Sequence, residues 1–309
     1  MTTTAIIRPE DNAVIELVTN ALTSEHSKRA YRKALQDFLT WRSERGNPEL
    51  NKSLVYEYRQ TLTGSPASIN LRMSAIRKLA VEAADNGLMD QTIANGVTRV
   101  KGAPTHGVRA GNWLTKSQAQ EILTTPELQD QDGIAILKGY RDRAILAVMI
   151  GAGLRRSECA ALTLERIQQR DSRWVIVDIV GKGNRVRSVP IAPWVKQAID
   201  EWTELAGIES GLVFRAIHKG GHITHESMTP QAIRDVVKYY GTRIGIPELA
   251  AHDLRRTYAK LAHKGGSGVD QIQLSLGHQS LKTTEKYLGV SQNLTDAPGD
   301  HLGLTLGTD

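Results

Sequence analysis

The sequence predicts a mainly α-helical protein in two parts, with one small β-hairpin in the second. Three observations carry that expectation. Apolar residues recur at helical spacing through most of the first hundred residues. A glycine-bearing stretch without an apolar period, "VKGAPTHGVRAGN" from Val100 to Asn112, interrupts the pattern. One segment, "RWVIVDIVGKGNRVRSVPIA", alternates on both sides of a Gly-Lys-Gly-Asn turn, as the two strands of a hairpin do. A chain of 309 residues, 40% of them hydrophobic, is long enough for two ordinary domains or one large one and can bury a substantial core. The expected division is a helical domain over 1–100, a linker over 101–112 and a second domain over 113–309.

The elements follow in order. "SKRAYRKALQDFLTWRSERG" puts Tyr31, Leu35, Phe38 and Leu39 on one helical face and stops at Gly46. A short helical segment, "SLVYEYRQTLTG", comes next. "SPASINLRMSAIRKLAVEAADNG" opens on Ser65-Pro66, a cap followed by a first-turn proline, and stripes Ile69, Met73, Ile76, Ala80 and Ala83. The outer faces of these helices show Lys28, Arg29, Arg32, Lys33, Arg72, Arg77 and Lys78, a shared sign that suits DNA phosphates as well as plain solvation. Past the linker, "LTKSQAQEILTTPEL" starts a helix at a Thr115 cap. "GYRDRAILAVMIGAGLRRSECAALTLERI" reads as a buried helix, a glycine-bearing turn and a second helix. The hairpin follows, and everything after Met228 looks helical.

Charge and composition narrow the function classes. Lysine and arginine outnumber aspartate and glutamate 39 to 33, which leaves +6 and is compatible with a polyanionic partner or with a merely basic soluble enzyme. One cysteine, Cys159, excludes an internal disulfide and points to a reducing compartment. The longest apolar run, Ala144 to Leu154, is too short to span a bilayer, and "MTTTAIIRPEDN" lacks a signal-peptide layout. A soluble, cytoplasmic protein without membrane partners is expected. The histidines His218, His222 and His225 hint at zinc, but no cysteine is near and the spacing is glycine-rich, so no metal site is expected. Gly181-Lys182-Gly183 lacks the spacing of a nucleotide-phosphate loop. Cys159 reads as a core residue, and Tyr31, Tyr239 and Tyr240 as packing or DNA-contact residues.

Three stretches concentrate polar residues beside apolar helical runs. Arg155-Arg156-Ser157-Glu158 lies at the turn after a helix too apolar to be exposed, where Arg155 has a fixed base for holding phosphate oxygens or a simple ion pair with Glu158. "AHDLRRTYAKLAHKGG" sets His252 and Arg255 three apart, on one helical face. Gly277-His278 precedes Tyr287. With Lys182 in the hairpin turn these residues supply what metal-free phosphoryl transfer needs. Arginines offset charge on the phosphorus oxygens, histidines donate hydrogen bonds or move protons, a lysine acts as acid and a tyrosine attacks. A metal-dependent nuclease needs clustered carboxylates, and the sequence has no such cluster.

The ordered set "GAGLRRSE", "GKG", "HDLRRT", "LGHQS" and a following tyrosine resembles the tyrosine recombinase (phage integrase) family, including its Xer-type members. The likeness spans the second half, and the helical first half is similar to the family's core-binding (SAM-like) domain. The resemblance implies a mostly helical catalytic domain with a small β-hairpin or sheet. It implies Arg155 as the first catalytic arginine and Glu158 as its supporting acid. Lys182 becomes the general acid for the leaving 5′-oxygen, His252 and Arg255 the H-x-x-R pair, His278 the later histidine and Tyr287 the nucleophile. Arg256 stands where the family often has histidine.

The implied activity is site-specific recombination through a 3′-phosphotyrosine, with no cofactor and no metal. The implied partners are double-stranded DNA, clamped between the two halves, and three further copies in a homotetramer on two duplexes. The free protein is then a monomer or dimer, in the nucleoid. A type IB topoisomerase-like enzyme shares this chemistry, and a DNA-binding regulator that has lost catalysis shares the fold. Chromosome dimer resolution, phage integration and transposon movement all use the scaffold. The tail "GVSQNLTDAPGDHLGLTLGTD", with Leu294, Leu302, Leu304 and Leu306, is expected to reach a neighbouring protomer or to fray.

Overall fold

The computed structural model describes residues 9–104, 112–181, 185–278, 280, 284, 285 and 288. The chain divides into two compact units, Met1–Arg109 and Ala110–Asp309.

Five helices make the first unit: α1 (Pro9–Asn20), α2 (Glu25–Ser43), α3 (Lys52–Thr61), α4 (Pro66–Asp85) and α5 (Gln91–Thr98). Side chains mark their starts. Asn51 accepts from the Leu54 N–H at 3.0 Å and Ser65 from the Ser68 N–H at 3.2 Å, with Pro66 in the first turn as its missing N–H allows. The expected stripes face inward, with Leu35, Phe38, Met73, Ile76 and Ala80 all buried. Helices α1 and α5 escape a periodicity search because they are short and only α5 carries a clear apolar face. Phe38 meets Tyr58 edge-on with ring centroids 4.9 Å apart, and burial pushes the Tyr58 phenol up to about 12.

Residues 100–103, at the start of the expected linker, are strapped to this unit. Arg77 donates to the Val100 carbonyl through Nε at 3.0 Å and Nη2 at 2.8 Å, Arg59 to Gly102 at 3.1 Å and Asn70 to Ala103 at 3.0 Å.

The second unit is built around α7 (Leu137–Gly151), whose residues Ala144 to Ile150 are all buried. Before it lies α6 (Lys116–Thr124), capped at Thr115 in a reciprocal box with Gln118. After it come α8 (Arg156–Ala160) and the antiparallel sheet β1 (Ile167–Arg170), β2 (Arg173–Val180) and β3 (Val186–Pro190), in that order. The β2–β3 pairing shifts register between Ile176 and Ile179, where Asp178 takes φ of 53°. Helix α9 (Pro193–Leu205) then packs on α7 through Val195, Ile199 and Trp202, and the Trp202 indole donates to the Val213 carbonyl at 2.8 Å.

A two-stranded hairpin, β4 (Ala216–Ile217) and β5 (Ile223–His225), precedes α10 (Pro230–Arg243), α11 (Ala251–Lys264) and α12 (Val269–Leu276). Strands β1, β4 and β5 are additions to the expected single hairpin. "IQQR" has no apolar alternation, and β4 and β5 are two and three residues long. Among the described residues no helix is long and apolar enough to cross a membrane. Cys159 is buried in the core as expected, and its desolvation raises the thiol far above its ordinary range.

Candidate active site

The turn after α7 fixes the first polar cluster. Gly153 adopts φ of 61°, and a methyl there would come within 2.7 Å of the Tyr258 ring, so only glycine permits both the turn and the packing. The chain then buries Leu154 and places Arg155 at the N-cap of α8. The Arg155 backbone N–H donates to Glu158 Oε2 at 2.8 Å, and its Nη1 donates to Oε1 at 2.6 Å. The ion pair anticipated as the plain alternative therefore exists, yet the Arg155 side chain stays 30% accessible while that of Glu158 is only 4% accessible.

A second arginine, unrecognised in the sequence, holds the same carboxylate. Arg187 on β3 donates Nη1 to Glu158 Oε1 at 3.0 Å and Nη2 to Oε2 at 2.8 Å, the fork-on-fork geometry that guanidinium suits. Its Nε donates to the Ser275 carbonyl at 2.7 Å. Burial works against ionisation of Glu158, but the hydrogen bonds from Arg187 and from the Arg155 backbone outweigh it, and the carboxyl is held down at about 2. A signal for Arg187 was present: it lies two residues before buried Val189, in the inward phase of its strand, and a charge there needs a buried partner.

Helix α11 carries the histidine–arginine pair. Its start is capped by Asp253, which accepts from the Ala250 N–H at 3.0 Å and from Arg256 Nη1 at 2.9 Å. Arg255 is 1% exposed. It donates Nη1 to the Gly153 carbonyl at 2.6 Å and Nη2 to the Leu276 carbonyl, and its Nη1 lies 3.9 Å from Glu158 Oε2. His252 sits nearer the surface. Partial desolvation, then the charges of Arg256 and Arg255, lower its pKa, with Asp253 opposing.

Helix α12 ends at Gly277 in the left-handed conformation, φ 62°, and a methyl there would lie 2.9 Å from Arg187 Cδ. His278 follows, with Nδ1 3.0 Å from the Thr284 hydroxyl. Desolvation, then the charges of Arg255, Arg155, His252 and Arg187, bring its pKa down to about 4, so the ring is neutral at pH 7. Contacts of Arg187 and Arg255 with Glu158 and with the carbonyls of Ser275 and Leu276 bring polar groups from α8, α11, β3 and the end of α12 into one neighbourhood. A methyl on Gly181, beside the hairpin turn, would lie 3.4 Å from the terminal nitrogens of both Arg155 and Arg187.

Lys182 and Tyr287 lie outside the described residues. Leu288 is buried with Ala259, Ile272 and Leu276, and its carbonyl accepts from Lys260, whose ammonium sits 4.4 Å from the Trp113 ring centroid. Among the described residues no group of three or more histidine, cysteine or acidic side chains could hold a metal ion. His218 and His222 instead stack at 5.1 Å on the β4–β5 turn.

In the first unit, Arg29, Lys33 and Arg72 line a groove of about 500 Å³ between α2 and α4, together with Asp37, Ser68 and Leu71. Within the groove Lys33 pairs with Asp37, and elsewhere in the basic set Lys28 pairs with Glu25, Arg32 with Glu16 and Lys78 with Glu82. Arg77 holds the Val100 carbonyl.

Comparison with known proteins agrees with this architecture. The phage integrase family profile matches residues 112–293, and the phage integrase N-terminal SAM-like domain matches residues 15–87. The chain is 29% identical over 272 residues to tyrosine recombinase XerC of Pseudomonas putida, covering 85% of each. It is 30% identical over 225 residues to XerC of Haemophilus influenzae, covering 71% of this chain and 69% of that one. The fold matches that of a XerH site-specific recombinase bound to a palindromic difH substrate, with a TM-score of 0.66 at 18% identity, covering 93% of this chain and 87% of that one.

Proposed function

Because the chain belongs to the phage integrase family, the tyrosine recombinases that break and rejoin DNA, we propose that it is a site-specific recombinase cleaving one strand at a time through a 3′-phosphotyrosine. The Tyr287 oxygen attacks the scissile phosphorus as its phenolic proton passes to a neutral site histidine, the bond to the 5′-oxygen breaks, and Lys182 delivers a proton to that leaving oxygen, which departs as a hydroxyl. Reversal with a hydroxyl from the partner duplex reseals the strand. The covalent bond keeps the energy of the phosphodiester, so neither a nucleotide nor a metal ion is needed for joining.

The observation that best supports this reading is the ion cluster around Glu158, which gathers Arg155 and Arg187 with Arg255 close by, beside the His278 turn. A tyrosine phenol titrates near ~10 and attacks poorly until the phosphate charge is offset and its proton has somewhere to go. Arg155 supplies positive charge at an accessible point, His252 a partly exposed ring, and His278 a neutral ring at physiological pH. Arg255, being buried, acts on the phosphate from the floor of the site. Double-stranded DNA is the substrate, bound by the second unit and by the Arg29, Lys33 and Arg72 groove of the first, 1–100, domain. Four copies act on two duplexes.

The test is covalent trapping on a nicked duplex whose cleaved fragment diffuses away. Wild-type protein accumulates a protein–DNA adduct in excess EDTA, and Tyr287→Phe binds the same duplex without forming one. An adduct with the phenylalanine variant, or a strict metal requirement, removes the proposal. Relaxation of supercoiled plasmid without exchange between two sites favours a topoisomerase instead.

A further inference from the structure

We propose that Arg187 is a positioning residue that takes up the charge of Glu158, so that Arg155 is left positive and aimed for a phosphodiester. This rests on the phosphoryl-transfer reading above. Each of the three guanidinium nitrogens of Arg187 donates to a protein acceptor, two to the Glu158 carboxylate and one to the Ser275 carbonyl, and its side chain is only 8% accessible. It is built into the wall of the site and is not presented to a substrate. Arg155 reaches the same carboxylate from the accessible side.

The shared carboxylate gives this arrangement its consequence. Arg187 and Arg155 both hydrogen-bond the Glu158 carboxylate, whereas Arg255 approaches it only to 3.9 Å. Without Arg187, Arg155 is the one described side chain left in hydrogen-bonding contact with Glu158, and it is drawn toward that buried carboxylate. The phosphate then loses the charge that should offset its own.

The backbone around Arg187 extends its reach. Gly181 next to the Lys182 turn and Gly277 next to His278 both lie against its side chain, the second so closely that a methyl would stand 2.9 Å from Cδ. Its Nε bond to Ser275 fixes the last turn of α12, three residues before His278. One buried side chain thus meets Glu158 of the arginine turn, Gly181, and the end of α12 that leads into His278.

The experiment compares two nicked half-site substrates, one with the ordinary scissile phosphodiester and one with a neutral methylphosphonate in its place. In both, a bond from the Tyr287 oxygen to phosphorus forms, the bond to the 5′-oxygen breaks, and the 5′-hydroxyl leaves with its proton. Arg187→Met should cleave the phosphodiester up to about 100-fold more slowly than wild type, the order of loss that misplacing a reacting group by about 1 Å brings. On the methylphosphonate its rate should stay within about threefold of wild type, because no charge remains to be offset. Arg187→Gln removes the charge while keeping hydrogen-bonding groups, and it should give the same pattern if the methionine variant does not fold. Equal losses on both substrates, or no loss on the phosphodiester, overturn the proposal. Arg155→Ala separates the two levels of the argument. If it is rescued by the methylphosphonate and the Arg187 variants are not, only the role of Arg187 falls. If it is not rescued, the phosphate-neutralising reading of Arg155 falls with it.

Discussion

Arg155 and Arg255, two arginines with matching places in the sequence motifs, differ sharply in their surroundings. Arg255 is wholly buried and bonded to the carbonyls of Gly153 and Leu276, whereas Arg155 stands partly in solvent. Removing a buried charged partner typically costs about 3–5 kcal/mol. Arg255→Ala should therefore lower both stability and activity, while Arg155→Ala abolishes cleavage with a small stability change, as denaturant unfolding and a cleavage assay on the same samples will show. Arg155→Lys keeps the charge but not the planar fork, and its cleavage rate should fall on the order of 100- to 1,000-fold. Near-normal cleavage by that variant would return Arg155 to a structural role.

The two strongly shifted groups of the site also have a definite sign. Glu158 is held at about 2, so its stabilising effect is complete above its ordinary 4.5 and is lost as pH falls toward 2. His278 is depressed from 6.5 to about 4, so the unfolded chain binds the extra proton between those values and stability falls as pH drops through that window. A ring titration of His278 by NMR should show a midpoint well below 6.5, and a midpoint at or above 6.5 contradicts the described environment.

At the scale of elements, the helix ends do much of the placing. The left-handed Gly277 stops α12 and turns the chain into His278, and the close approach of Arg187 makes any side chain there doubly unfavourable. Gly277→Ala should impair cleavage even where the protein still folds, read as adduct formation at unchanged DNA binding. Thr115→Ala removes a capping box from α6 and should cost about 1 kcal/mol in denaturant unfolding.

What the sequence made legible follows the same division. The stripes of α2 and α4, the Ser65-Pro66 start, the Thr115 cap and the Gly-Lys-Gly-Asn hairpin are local patterns, and local patterns survive in one dimension. Arg155, Glu158, His252, Arg255 and His278 stand out in the sequence because they punctuate apolar helices. Arg187 does not, because its meaning lies in a carboxylate 29 positions away and a carbonyl 88 positions away. The burial of Arg255 was likewise invisible, since its spacing from His252 reports a shared face and not which side chain turns inward. Strands β1, β4 and β5 carry too few residues for a period to show.

At the scale of the whole molecule, an excess of basic residues and a basic groove on the first unit predict binding that weakens steeply with salt. Each neutralised phosphate contributes a log–log slope of about −0.9, and a titration of affinity against salt should return several such contacts. A nearly flat response contradicts phosphate-led binding. The residues after Tyr287, 309 − 287 = 22 of them, lie outside the described residues apart from Leu288. Their leucines are spaced by polar residues and glycines, and they belong to the proposal of a four-copy assembly. Truncation after Val290 should leave single half-site binding intact and reduce synapsis and strand exchange, and wild-type recombination by the truncated protein refutes that coupling.

The central claim is a covalent bond between one tyrosine and a 3′-phosphate. The most direct measurement digests the trapped adduct with protease and nuclease and locates the nucleotide by mass spectrometry. The account predicts a nucleotide joined through its 3′-phosphate to the peptide containing Tyr287, with a free 5′-hydroxyl on the released strand. Attachment at another residue such as Tyr258, or linkage through a 5′-phosphate, contradicts it.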